Sequence, residues 1–282
     1  MSLDLPLYRV RADFQGDHES ISSFSFIPTI SLIQRLRFNK EKEQVLYTAT
    51  MPAVAVQETL TKPSYFFISK WKKKSRNNMF KSFIAVDDNC SKDPKSTARK
   101  ARNILCEKTS PTELAKIDNI RTILEKDYGG CKEEEKYIES AALASEILKT
   151  ADCILSYSKQ DDKELNITFK REAVDMLELV EVYKCRPQKE TKTQCFDVEQ
   201  IGLNENGHIK WYNWEVDKIL TIQPSQNKDG CFLNDYGLRS LIRKNKLLIS
   251  INQNIGDSHD GVLKTKDGDF LISFTISLCH DS

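Results

Sequence analysis

Across Leu7-Tyr8-Arg9-Val10-Arg11-Ala12-Asp13-Phe14 apolar and polar residues alternate with a period close to two, the signature of a half-buried strand. Ile21 to Ile30, carrying Phe24, Phe26 and Ile27, predicts a second strand. Gln44–Thr48, Val54–Val56, Tyr65–Ser69 and Met79–Val86 predict more, so the first ninety residues read as β-rich.

From Asp93 the period changes. Asp93-Pro94 places a capping carboxylate before a proline suited to the first helical position, which predicts a helix to about Cys106. Ser110-Pro111-Thr112-Glu113 is a capping box. Leu114, Ile117, Arg121, Leu124 and Tyr128 follow at three- and four-residue steps, and Gly129-Gly130 supplies a left-handed end. A third helix is predicted over Lys132 to Tyr157, with Ile138, Ala141, Ala142, Ser145, Leu148 and Leu155 along one face. A strand at Leu165–Phe169 and a helix over Glu172–Lys184 complete the segment, the helix stopping before Arg186-Pro187.

After the polar stretch Gln188–Gln194 strand signals return. They cover Cys195–Ile201, His208–Trp214 and Lys218–Gln223, with a turn at Asn204-Glu205-Asn206-Gly207 where Asn-Gly favours positive φ. A short helix at Leu238–Lys244 and a strand at Leu247–Ile251 follow. Thr265-Lys266-Asp267-Gly268 then turns the chain into the alternating run Phe270–Leu278. Strand signals, then helices, then strand signals predict an α+β fold rather than alternating α/β. The corresponding regions are 1–90, 91–187 and 188–282, arranged as one or two compact domains; the terminal β regions either stand apart or share one sheet system.

Composition adds little to this picture and charge adds more. With 39% hydrophobic and 29% charged residues and a formal net charge of +1, the chain reads as globular, and no run approaches the ~18 apolar residues of a membrane span. The N-terminal residues lack the basic flank and apolar stretch of a secretory signal, so the expected setting is cytoplasmic or nuclear. Eight cysteines are thinly spread with no C-x-x-C pair, which predicts reduced thiols in that setting. Charge is segregated: Thr61–Lys108 holds 13 basic and 4 acidic residues, a balance of +9, whereas Thr109–Cys185 holds 11 and 17, a balance of −6.

Within the basic half, Lys70-Trp71-Lys72-Lys73-Lys74-Ser75-Arg76 sets five positive charges around one tryptophan, between two predicted strands where a hairpin loop is expected. Lys95, Arg99 and Arg102 extend it at helical spacing. Together these nine residues form a candidate anion-binding surface, with Trp71 offered to an unpaired base or a headgroup boundary. The alternative is that Trp71 plugs a sheet edge and that the basic segment meets the acidic helices, in the same chain or in a second copy. Trp211, Tyr212 and Trp214 form an aromatic cluster on a predicted strand and are candidate interface residues.

Catalytic motifs are absent. His18, His208, His259 and His280 lack zinc spacing, and there is neither a Gly-x-Gly-x-x-Gly nor a phosphate loop. No metal or cofactor is therefore expected. The sequence points to a non-enzymatic binding or scaffold protein making protein contacts, with nucleic acid or an anionic membrane surface as a second partner. The alternatives are a self-assembling structural protein and a Mg²⁺-dependent phosphodiester enzyme. The last would use Asp87 and Asp88, with Asp197, Glu199, Glu215 and Asp217 as companions.

Overall fold

The computed structural model describes residues 5–12, 16–26, 30, 33–59, 65–75, 77, 79–126, 137–158, 161–187, 196–224, 258–265 and 268–279; residues 187, 196–197, 214–224, 258–265 and 268–279 are described by backbone alone. The fold is α+β. It divides into two compact units. The first comprises residues 1–10, 16–60 and 69–180, and the second residues 11–15, 61–68 and 181–282.

In the first unit, β1 (Leu7–Ala12), β2 (Val45–Ala49), β6 (Leu165–Lys170), β5 (Cys153–Tyr157) and β4 (Ser82–Ala85) lie side by side in that order, and β3 (Phe66–Lys73) neighbours β1 on its other side. β1 with β2, β2 with β6 and β6 with β5 pair antiparallel, whereas β4 with β5 is parallel, Ser82 opposite Cys153 and Ala85 opposite Ser156. A parallel pair needs a long crossover, and here three helices provide it: α3 (Thr97–Lys108), α4 (Pro111–Leu124) and α5 (Ile138–Thr150). Phe38, Val45, Ala85, Leu124, Ala144, Leu148 and Ile154 meet as one core cluster between helices and sheet. Alanine at 144 lets α5 approach closely, while Leu124 and Leu148 fill the interval.

The capping box forms as its residues predict. Ser110 Oγ accepts from the Glu113 amide at 3.4 Å, and Glu113 accepts from the Ser110 amide at 3.2 Å. The hydrogen bonds to Ser110 hold the Glu113 carboxyl below its ordinary range. Elsewhere the periodicity misleads. Ile21–Ile30 contains a one-turn helix, α1 (Ser22–Ser25), and Val54–Val56 lies in α2 (Pro52–Thr59), because a three-residue apolar run fits either period and Pro52 fits a helix start. The helix expected to begin at Asp93 is capped instead by Ser96, whose Oγ accepts from the Arg99 amide at 3.2 Å; Asp93 closes a turn onto the Lys95 amide. The helix expected through Tyr157 stops at Thr150. Asp152 there accepts the Lys81 amide at 2.9 Å and pairs with Lys170 at 2.9 Å, which ties the chain into β5. The predicted helix over Glu172–Lys184 is a 3-10 turn (Arg171–Met176) followed by β7 (Leu177–Pro187), because Val180 and Val182 are β-branched and the chain gains an antiparallel strand partner from Glu181 onward. Gly129-Gly130 lies outside the described residues.

In the second unit β7, β8 (Phe196–Glu205), β9 (His208–Pro224), β11 (Gly268–Cys279) and β10 (Ser258–Thr265) form an antiparallel array in that spatial order. Asn206 and Gly207 both take positive φ, 53° and 91°, at the β8–β9 turn, as Asn-Gly predicts. The two strands expected at His208–Trp214 and Lys218–Gln223 are one continuous β9. Leu238–Lys244 and Leu247–Ile251 lie outside the described residues. Among the described residues no helix is long and apolar enough to cross a membrane, and Cys90, Cys106, Cys153 and Cys185 are free thiols.

Candidate functional site

The basic run is not a hairpin loop. Lys70 to Lys73 are the second half of β3, so alternation sends Ser69 and Trp71 inward and Lys72 outward. Trp71 is 2% exposed, and its indole N–H donates to Ser69 Oγ at 2.9 Å, which in turn donates to the Arg9 carbonyl at 3.2 Å. A ring so placed is core packing and cannot stack on a base. Lys72 pairs with Glu178 at 3.6 Å, Lys70 and Lys73 are half-buried, and Lys74 is exposed while its amide holds the Met176 carbonyl at 2.9 Å. Arg76 lies outside the described residues.

The helical extension is also turned inward. Arg102 is 2% exposed, with Nη1 donating to the Val86 carbonyl and Asp118 Oδ1, both at 3.0 Å. Its Nη2 donates to Asp88 Oδ2 at 3.1 Å and Asp118 Oδ2 at 3.2 Å. Burial alone would lower the pKa of this guanidinium, but the hydrogen bonds to Asp88 and Asp118 raise it above its ordinary value. Arg99 ties the same loop, donating to the carbonyls of Ser91, Cys90 and Asp88 at 3.0–3.2 Å. The Asp88 carboxyl sits below its usual range because Arg102 hydrogen-bonds it, and Arg99 adds to the effect. Only Lys95 of the helical trio is simply exposed.

Asp87, beside Asp88 at the carboxyl end of β4, is buried. It pairs with Arg121 at 3.0 Å and accepts the Asn89 amide and side chain at 3.0 and 2.9 Å. Arg121 also holds Glu125 at 2.5 Å, one turn along α4. Burial pushes the Glu125 carboxyl up, Arg121 opposing, and burial pushes the Tyr157 phenol up beside it. Arginines thus occupy both carboxylates that a Mg²⁺ site would use. Glu199 pairs with Arg186 at 2.7 Å, and the side chains of Asp197, Glu215 and Asp217 are outside those described. Among the described residues no three His, Cys, Asp or Glu side chains gather to hold a metal ion.

Of the aromatic trio, Trp211 is half-buried with its ring 5.8 Å from that of Phe67, and Gly202 lies opposite it across the β8–β9 ladder. A Cβ at Gly202 would meet Ile209 Cγ2 at 2.3 Å and the indole at 3.2 Å, so the absence of a side chain lets the indole lie flat. Tyr212 is half-buried, hydrogen-bonds Glu205 and lies under the Lys210 ammonium at 5.4 Å. The side chain of Trp214 is not described.

Two features escaped the sequence reading because their parts are far apart in the chain. The first is an open cleft of about 530 Å³ in the first unit, at the Val45–Lys170 ends of β2 and β6 beside the end of α5. Lys42, Lys149, Lys170 and Arg171 line it, against Glu43 and Glu172. Lys170 is held by Asp152 at 2.9 Å and Lys149 by Glu146 at 2.7 Å, whereas the exposed side chains of Lys42 and Arg171 have no partner among the described residues. The second is a small polar cluster. The buried Ser158 hydroxyl donates to Glu58 Oε1 at 2.7 Å, and Asn166 Nδ2 donates to the same oxygen at 3.0 Å. No family model, curated protein or solved structure matches this chain.

Proposed function

We propose that this chain is a binding protein that takes an anionic ligand in the cleft beside α5, with Lys42 and Arg171 as the charges that meet it. The observation supporting this is that neither has a partner among the described residues, in a concave site of ligand size. Arg99, Arg102 and Arg121 must surrender carboxylates or carbonyls before contacting anything else, whereas Lys42 and Arg171 give up no partner among the described residues. Titration calorimetry with inorganic pyrophosphate over a salt series tests the reading. Binding should weaken as salt rises, fall about tenfold in Lys42→Glu and Arg171→Glu, and stay unchanged in Lys95→Glu. Equal binding in all four proteins sinks it. Single-stranded RNA or anionic liposomes binding more tightly than pyrophosphate would replace the cleft with an extended surface.

A further inference from the structure

We infer that the ligand of the cleft is a small amphiphilic anion, a phosphate or carboxylate head carrying an apolar body of about one ring; this rests on the anion reading above. The cleft is not isolated. A second cavity of about 190 Å³ adjoins it, and Glu43, Gln44 and Val45 line both. These three residues lead into and begin β2, so one short stretch of chain borders both spaces.

The second cavity differs in chemistry. Its walls include Phe26, Ile33, Leu36 and Val45. Among its polar wall groups, Tyr47 Oη donates to Asn39 Oδ1 at 2.9 Å and accepts the Phe38 amide at 3.0 Å, and Arg9 Nη1 donates to the Phe24 carbonyl at 3.4 Å. Burial of Tyr47 also pushes its phenol well above the ordinary range, so it stays a neutral donor at any physiological pH. With the phenol and the guanidinium so engaged, Phe26, Ile33, Leu36 and Val45 offer an occupant apolar contact. The volume is suitable, since a cavity of ~150 Å³ accepts one benzene ring. Cationic and apolar spaces thus share one wall, and a ligand matching both carries charge at one end and a ring at the other.

The test compares inorganic phosphate with phenyl phosphate by calorimetry on the full chain. Phenyl phosphate should bind about tenfold tighter or more, because the ring leaves water. Leu36→Trp, at an exposed rim position, should fill the mouth of the apolar cavity and erase that advantage while leaving phosphate binding intact. Phe26→Ala, which enlarges the same cavity, should shift preference from phenyl toward naphthyl phosphate and serves if the tryptophan variant does not fold. Equal affinity of phosphate and phenyl phosphate for wild type overturns the amphiphile while leaving the anion reading standing. Binding of neither probe overturns both.

Discussion

The segment from Lys70 to Arg102 and the cleft around Arg171 are both rich in cations, yet the arginines of the first are engaged by internal acceptors, whereas Lys42 and Arg171 of the second have no partner among the described residues. Arg102 spends five hydrogen bonds on two carboxylates and a carbonyl, and Arg99 spends its donors on the loop after β4. Arg171 and Lys42 spend none on the described residues. The difference shows that cation density along a chain measures how much electrostatic work is done, whereas unsatisfied donors indicate where a ligand can be met. In the first segment the positive charge of the arginines closes a crossover on itself. In the cleft it is left facing water.

Substitutions should separate the two regions by opposite effects. The largest is expected for Trp71→Ala, which empties a fully buried indole site and should cost about 3–5 kcal/mol by urea unfolding with anion binding in the cleft retained. Arg102→Met should cost about 2–3 kcal/mol, less than a fully buried pair, because the Asp88 left behind is solvated. If either variant loses pyrophosphate affinity while still folded, the division between the regions breaks. The double reversal Lys42→Glu, Arg171→Glu should do the converse, changing stability by no more than about 0.5 kcal/mol while removing binding.

Two smaller effects sharpen the picture of the crossover side. Burial pushes the Cys153 thiol up to about 12, and Cys106 is exposed. In native protein at pH 8, alkylation followed by mass mapping should therefore label Cys106 and spare Cys153. Glu125 has a folded pKa above its unfolded value, so the folded state binds the extra proton and stability declines as pH rises from the unfolded value through the folded one. Asp88, held low, contributes stability above its unfolded pKa that is lost as pH falls through the folded value. Glu125→Gln should remove the first slope and Asp88→Asn the second, as read from urea midpoints between pH 3 and pH 7. A Glu125→Gln profile that superimposes on wild type would show that this carboxyl is solvated.

The sequence made local features legible and left non-local ones obscure. The Ser110–Glu113 box, the Asn206-Gly207 turn and the alternation of β11 are each decided by a few neighbouring residues, and each formed in place. Leu177 to Val182 carries apolar residues that also suit a helix, and the ladder with β8 that begins at Glu181 is a partner no local spacing reveals. The segregation of charge was visible, and part of its meaning is internal: Arg102 meets Asp118 sixteen residues away. Which charges were thereby used up was not visible. The cleft draws on Lys42, Lys149, Lys170 and Arg171, and Glu58 meets Ser158 a hundred residues on, so no spacing rule applies to either.

The parallel pairing of β4 with β5 has a consequence for the order of assembly. Ser82 and Cys153 are seventy-one positions apart, so closing that ladder from an open coil is entropically slow, whereas α3 and α4 adjoin and can form early. Once Arg102 has met Asp118 the helices become a preassembled clasp, and its remaining donors reach the Val86 carbonyl and Asp88 just past the end of β4. The arginine that looked like a lure for an outside anion instead pins the chain just past β4 to the helical crossover.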